Sequence, residues 1–572
     1  MKKYLLWVLL LMMGSMCRAD DVTIRFDGST AKVSLGKLRG GSRSGKSIAA
    51  TRQGKDAGGQ MDADSVTVTV DGATVTVESR YAAHKLSLRL TGRSDDGKLV
   101  LKTAGKATVT LDNLTLTSQE GAPLWLKNKK KLEIVVAKGT KNSLTITACN
   151  DTANYKAAVI WAKDKLLFSG KGTLNIIATG DGCRGIKTKK DITIDGPTIN
   201  VTTSGDNLGE KPFGFPGFNG EMPDFGGGFP FPDFGGMRPE GSDSTGFGGF
   251  PGFPGFNGEM PDFGGGFPFP NFGGMRPEGN DSTGFGGFPG FPGFNGEMPD
   301  FGGGFPDFDG EMPDFGGMRP EGNDSTDEGG FGGFGGKHKY VAAAKGIASK
   351  GVITINSGRV TVRTSTAGAE GIEGKEGIVC NGGTIDVLAT DDAMNANAPI
   401  AFNGAHVIAR SKTNDAVDSN PKNGFFMPFG GNSQQNNDPA IVITGGTVYA
   451  WSQAGSPEEG FDSDFAPLAI EGGTVFSVGG GMGEMPSVPT NATAKQPTVL
   501  LIGVGIAKDE PVYIYNDRGK LIDTVTIPFA LRRSASIVSH LAFKVGGTYT
   551  VKTKGYERTF TLDEPFTIVR RN

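Results

Sequence analysis

The chain is poor in cysteine and histidine, with four of each in 572 residues. Cys17 falls in an N-terminal leader, and Cys149, Cys183 and Cys380 form an odd, widely spaced set. That excludes a disulfide framework and zinc-type spacing, and leaves small buried thiols as the expected state. The absence of paired His or Cys also argues against a transition-metal centre. Long apolar stretches are missing too: the run at residues 5–13 is too short for a membrane helix. With Lys2 and Lys3 before it and Cys17-Arg18-Ala19 after it, residues 1–19 read as a Sec signal peptide, so a secreted, cell-surface or periplasmic bacterial protein is expected. A lipid anchor on Cys17 is disfavoured, because Gly14 and Met16 suit that cleavage poorly. No nucleophile elbow, phosphate loop or glycosidase-type carboxylate pair occurs, and no helical periodicity follows the leader.

Glycine, by contrast, is abundant, and much of it lies at residues 212–336. There "FNGEMPDFGGG" begins at 218, 256 and 294, a 38-residue repeat, and the tract holds 25 of the 38 Phe residues. Neither strand nor helix periodicity survives in it, so it is expected to be disordered. It carries 19 Asp and Glu against three Arg, a net −16, so a chain of net −3 has a body of +13, or +10 without the leader. Such a body suits an anionic partner; a solvated positive surface is the alternative.

Outside that tract, runs such as "VTVTVDGATVTV", "DITIDGPTINVTTS" and "AIVITGGTVYAWS" alternate with Gly, Asn and Asp turns and read as strands. They repeat. Aligned on Ile160, Ile186, Ile347, Ile372, Met394, Val417 and Phe461, an apolar residue recurs six positions on (Leu166, Ile192, Ile353, Ile378, Ile400) and glycine ten positions on (Gly170, Gly196, Gly382, Gly404). Uninterrupted anchors lie 22 to 26 residues apart, which is the repeat of a parallel β-helix, an all-β solenoid stabilised by stacking of neighbouring coils. Two insertions, the Phe/Gly tract and a shorter one around "NGFFMPFGGNSQQNND", are expected to project from corners and leave the core intact.

Stacking converts the alignment into columns. One residue after the anchor come Trp161, Lys187, Ala348, Glu373, Asn395, Asp418 and Asp462, with Trp125 ahead of Trp161. Three after it come Lys163, Lys189, Lys350, Lys375, Asn397, Asn420 and Asp464; two before it, Ala158, Arg184, Lys345, Glu370, Asp392, Asp415 and Glu459. One corner is therefore aromatic and basic at its N-terminal end and acidic at its C-terminal end. Carboxylates about 4.8 Å apart repel strongly when partly dehydrated, and Asp, Glu and Asn oxygens are what Ca²⁺ coordinates. A solvated ladder of Asx turns is the alternative.

The series "AEGIEGK", "DDAMNAN", "NDAVDSN", "EEGFDSD", with "NGGT", "TGGT" and "EGGT" between, resembles secreted carbohydrate-binding β-helix proteins over about residues 65–485, the Phe/Gly tract excepted. The resemblance implies a right-handed parallel β-helix similar to pectate lyases, Ca²⁺ as cofactor, and attachment to cellulose-like or pectin-like polysaccharide. By position Glu370, Glu373, Asp391, Asp392, Asn395, Asp415, Asp418, Asp462 and Asp464 inherit the metal role, and Asn420 and Glu459 fall in the same acidic columns. Lys375 departs from the pattern and puts a site in the first of these repeats in doubt. Trp125 and Trp161, with Lys163, Lys187 and Lys189, are candidates for holding sugar, provided the indoles face solvent rather than the core.

A pectate-type lyase is the alternative reading. It would need a basic group to remove the α-proton, and Arg359, Arg363 and Arg410 are nearby in sequence without forming a signature. A structural adhesin is the third reading, suggested by the Phe/Gly tract. The expected organisation is a leader at 1–19, a lead-in at 20–64, N-terminal coils at 65–211, the disordered insertion at 212–336, acidic coils at 337–489 and a β-rich cap or small domain at 490–572. Within that last region, hairpins are expected around Asn516-Asp517-Arg518-Gly519 and Lys554-Gly555.

Overall fold

The computed structural model describes residues 21–35, 48–52, 66–80, 82, 85–148, 157–210, 340–342, 344–421, 438–463, 466–480 and 487–571. The expected leader, the body of the Phe/Gly insertion and the second insertion lie outside them. Two compact units are distinguished, Met1–Gly214 with Met318–Asn572, and Phe215–Gly317. All described residues belong to the first, which alone is treated below.

The described residues form strands and no helix. Each repeat contributes three short strands, and each strand pairs in parallel with its equivalent one repeat on. The first row runs from Leu124–Asn128 through Ala158–Ala162, Arg184–Thr188, Ile347–Ser349, Ile372–Gly374, Met394–Ala396 and Val417–Ser419 to Phe461–Asp462. The other two rows share the 22-stranded sheet, with Ile192–Thr203 and Ile353–Thr364 long enough to serve both. The anchors Ile160, Ile186, Ile347, Ile372, Met394, Val417 and Phe461 are successive register partners and are almost wholly buried. Leu166, Ile192, Ile353, Ile378 and Ile400 form a second such column. β-Branched side chains suit this geometry because their restricted χ1 packs against an identical neighbour on the pleat.

Pairing is continuous across both insertions. Ile186 pairs with Ile347 and Ile192 with Ile353 although residues 211–339 intervene. Val417 pairs with Phe461 across 422–437. The long insertion leaves through an antiparallel neck in which Leu208 faces Ala342 and Glu210 faces Tyr340.

At the turns, glycine is required where the chain approaches the preceding repeat. Gly446 has φ of +85°, and a Cβ there would lie 2.3 Å from the Ala405 carbonyl oxygen. Gly446→Ala is expected to cost about 2 kcal/mol or more, from the left-handed backbone and this clash together. A midpoint in chemical denaturation equal to that of the parent would refute this. A neighbouring turn carries an exposed amide ladder: Asn381 Nδ2 donates to Asn356 Oδ1 at 2.8 Å, and Asn403 Nδ2 to Asn381 Oδ1 at 2.8 Å.

The N-terminal lead-in is more structured than its sequence suggests: Val22–Asp27 already pairs in parallel with Leu86–Ser94. At the other end, Leu531–Ser539 pairs antiparallel with both Thr474–Gly479 and Thr498–Ile506, closing the open edge of the last repeat. Four further strands form an antiparallel sheet with both expected hairpins. A second core, including Trp451, Phe476, Val499, Ile514 and Val551, joins this region to the final repeats. The expectation of three free thiols needs correction. Cys183 is disulfide-bonded, while Cys380 is a free, buried thiol whose pKa burial pushes up to about 12. A single bridge needs no multi-cysteine framework, which is why spacing gave no sign of it.

Candidate metal centre

The acidic corner is built by register. Trp125, Trp161, Lys187, Ala348, Glu373, Asn395, Asp418 and Asp462 are consecutive partners in one column. The neighbouring column is tied by backbone hydrogen bonds, in which the carbonyls of Lys345, Glu370, Asp392, Asp415 and Glu459 each accept from the repeat before. The side chains so placed are largely dehydrated: Asp392 is 1% exposed, Asp418 2%, Asp415 6% and Asn395 7%. This corner is thus unlike the solvated amide ladder at the neighbouring turn.

Its first repeat is neutralised from within. Lys345 Nζ lies 3.2 Å from Glu370 Oε2 and 2.6 Å from Glu373 Oε1, and Lys375 Nζ is 2.6 Å from the same Glu373 oxygen. Two ammonium groups therefore occupy the space a metal would need at Glu373, so Glu373 does not fit the ligand role assigned to it from sequence. Burial, together with the charge of Glu373, pushes the Glu370 carboxyl up to about 7.

From the next repeat onward the groups are carboxylates bridged by amides. Asn395 Nδ2 donates to Asp392 Oδ2 and Asp418 Oδ2, both at 2.9 Å, and Asn420 Nδ2 donates to Asp418 Oδ2 at 2.8 Å. Asp392 Oδ1 accepts from the Asp415 backbone N–H at 3.2 Å. Further on, the Ser487 backbone N–H donates to Glu459 Oε2 at 2.7 Å, and its hydroxyl to Asp462 Oδ1 at 3.3 Å. Burial, and then the charges of Asp392 and Asp462, raise Asp415 well above the ordinary carboxylate range. Asp464 lies outside the described residues.

Glu370, Asp391 and Asp392 each offer an oxygen, all within 4.8 Å of one another. Ca²⁺–oxygen bonds of about 2.3–2.6 Å place two ligands of one ion no more than about 5 Å apart. This trio of hard oxygen donors therefore fits calcium, and Asp392 links it to the Asn395–Asp418–Asn420 group.

The aromatic end differs from its sequence reading. Trp161 is 4% exposed and packs against Ala122, Ala158 and the edge of Trp125, with ring centroids 6.5 Å apart at 81°. It forms no open face for a sugar, because the strand Ala158–Ala162 is buried along its whole length. Trp125 is half-buried, with Lys127 Nζ 3.8 Å from its ring centroid. Lys163 is exposed, Lys189 half-buried and Lys187 buried.

Sequence reasoning missed Asp386. It sits between two of the arginines singled out: Arg363 Nη2 donates to its Oδ2 at 2.7 Å, and Arg410 pairs with its Oδ1. Burial alone would raise this carboxyl, but the two guanidinium groups hold it below its ordinary value. The residues are 23 and 24 positions apart, about one repeat each, but they lie in adjacent rather than identical columns. Alignment by column therefore does not bring them together.

The solved polysaccharide lyase-like protein from C. thermocellum, as its gadolinium derivative, is 14% identical with a TM-score of 0.33, covering 70% of this chain and 92% of that one. A carbohydrate-binding domain-containing protein of Acetivibrio thermocellus is 27% identical over 148 residues, 25% of this chain; the chain spans about half (51%) of that relative's length. The family whose model matches the chain, over residues 62–211 and 315–418, is that of the carbohydrate-binding domain-containing proteins.

Proposed function

We propose that this chain is a secreted, non-catalytic protein that binds polysaccharide with the help of calcium held in the acidic corner, and that its repeat is a right-handed parallel β-helix. The observation that carries the metal reading is the convergence of half-buried Glu370 and Asp391 with buried Asp392, in a corner that also buries Asp415 and Asp418. Burial and neighbouring carboxylates raise Glu370 and Asp415, and a divalent cation relieves the repulsion that protons otherwise relieve. Bound calcium would supply open coordination positions for sugar hydroxyl or carboxylate oxygens. The polysaccharide reading rests on the matching family model, and the leader supports secretion. The non-catalytic reading is preferred to a lyase because Arg363 and Arg410 are both already engaged with Asp386.

Thermal unfolding tests the metal. Calcium at a hundred times its dissociation constant should stabilise the fold by about 2.7 kcal/mol, and Asp392→Asn should lose most of that response. The pH dependence has a definite sign. Glu370 is raised from 4.5 to about 7, so the folded state holds its proton more tightly than the unfolded state. Its contribution to stability is complete below about pH 4.5 and is lost as pH rises through about 7. In chelator the melting temperature should fall across that window, and calcium should flatten the fall. Melting curves that coincide in chelator and in saturating calcium, at acid and neutral pH alike, would remove the metal from the proposal. Retention on insoluble cellulose or polygalacturonate, compared with release of unsaturated uronate products, separates a binder from a lyase.

A further inference from the structure

The turns between the first and second rows of strands carry a charge that the metal reading does not use. In five consecutive repeats these turns are residues 127–131, 163–165, 189–191, 350–352 and 375–377. They hold ten lysines against Asp164, Asp191 and Glu376, a net +7. That is most of the +10 carried by the whole body without its leader. The lysines are in register. The backbone N–H groups of Lys163, Lys189, Lys350 and Lys375 donate to the carbonyls of Leu126, Ala162, Thr188 and Ser349, each the residue just before the preceding lysine. Lys127 is thereby the first of five rungs, at the N-terminal end of the ladder. Lys163 is exposed, the other rungs are half-buried, and the exposed Lys129, Lys130 and Lys190 lie beside them.

Lysines stacked on repeats about 4.8 Å apart repel one another, and a line of carboxylates laid along them relieves that repulsion. The ladder's own acids are too few to do so. Asp191 is engaged by Lys165 at 2.9 Å, and Glu373 meets only the last rung, Lys375, at 2.6 Å. The chain carries such a line of carboxylates elsewhere. Residues 212–336 have a net charge of −16, and within them "GEMPD" occurs four times, with Glu and Asp three positions apart, as at Glu221 and Asp224. In an extended strand, at about 3.3 Å per residue, carboxylates so spaced fall about 10 Å apart, two rungs of the ladder. The neck from which this insertion leaves, Leu208–Glu210 with Tyr340–Ala342, lies between the third row and the first. It is therefore at the other end of the first-row strands, at the corner of Glu370 and Asp392, where the neighbouring charges have the insertion's own sign.

We propose that the lysine ladder docks the acidic insertion, residues 212–336, of a second copy of this chain. Lysine is a compact charge on a flexible stem, so it takes carboxylates without demanding one geometry. Several weak pairs made along one strand reinforce each other through effective concentration. The ladder and the insertion are different patches of one chain, so the contact is heterologous: every copy offers both, and copies join head to tail in open chains. The inference needs neither metal nor sugar, which separates it from the function proposed above.

Sedimentation velocity of the full chain in chelator, across a wide range of protein concentration and at low and raised salt, tests this. At low salt the mean mass should rise with concentration, and at about 0.5 M salt it should return to that of one chain, because exposed charges are then screened. Lys129→Glu combined with Lys163→Glu should raise the concentration needed for association by about tenfold, with unchanged melting because both side chains are exposed. Arg518→Glu combined with Lys520→Glu makes the same change in net charge on the exposed C-terminal hairpin, and should leave association as in the parent. The ladder variant still offers its insertion, so an excess of it should cap the open chains and lower the parent's mean mass. A parent that keeps the mass of one chain at every concentration would overturn the proposal, including the case in which a ladder takes up its own insertion. Equal association by parent and ladder variant would overturn it too, as would association that survives raised salt. An equal loss in the hairpin variant would also overturn it, since net charge rather than the ladder would then govern association.

Discussion

Lys345→Met is expected to destabilise the fold by about 3–5 kcal/mol, the usual consequence of removing one member of a buried ion pair. The ammonium is 6% exposed and lies against two carboxylates that are themselves 15% and 3% exposed. Without it, Glu373 retains Lys375 while Glu370 loses its nearest cation. Protonation is the remaining way to neutralise Glu370. The loss should accordingly be larger at pH 8 than at pH 5, read from denaturant midpoints in chelator. Combining Lys345→Met with Glu370→Gln and Glu373→Gln should recover much of the stability, because the cost lies in the unpaired charge rather than in lost packing. A single-variant loss within about 1 kcal/mol would mean that this contact behaves as an exposed pair. Calcium should also rescue Lys345→Met more than it stabilises the parent, since Glu370 belongs to the trio with Asp391 and Asp392.

Trp161→Ala should cost a similar amount, about 3–5 kcal/mol, for a different reason. Truncating a large buried aromatic removes its transfer free energy and leaves a cavity. At 4% exposure, wedged among Ala122, Ala158 and Trp125, the indole has few neighbours able to collapse into the space. Polysaccharide retention per folded molecule should be unchanged, because the ring offers no face to a ligand. Trp161→Phe should recover part of the stability. The opposite pattern, intact melting with weakened retention, would return Trp161 to the binding surface and require that the strand Ala158–Ala162 open in solution.

Much of this arrangement was legible in the sequence, because a stacked repeat turns spacing into register. The column from Trp125 through Lys187, Glu373 and Asn395 to Asp462 could be read from residue types alone and is reproduced partner by partner. What spacing cannot supply is depth. Trp161 and Trp125 share a column, yet one is buried and the other half-buried. That difference arises from side chains of adjacent strands, such as Ala122 and Ala158, not from the column itself. Contacts that run diagonally were equally hidden. Lys345 reaches Glu373 from a neighbouring column, and Arg363 reaches Asp386 in the same way. The Lys375 departure has a direct structural counterpart, since its ammonium lies 2.6 Å from Glu373 Oε1.

The neck formed by Leu208–Glu210 and Tyr340–Ala342 has a genetic consequence. It brings the two ends of residues 211–339 to strand-pairing distance and joins them there, so the repeats on either side register only those ends. The intervening sequence consists largely of tandem 38-residue units, the kind of array that unequal recombination lengthens or shortens by whole copies. Each doubling of such a loop alters closure free energy by only about 0.6 kcal/mol. Selection for folding is therefore nearly blind to copy number, and close lineages should differ in how many units they carry while keeping the flanking strands unchanged. The same port would accept an unrelated domain whose termini lie close together.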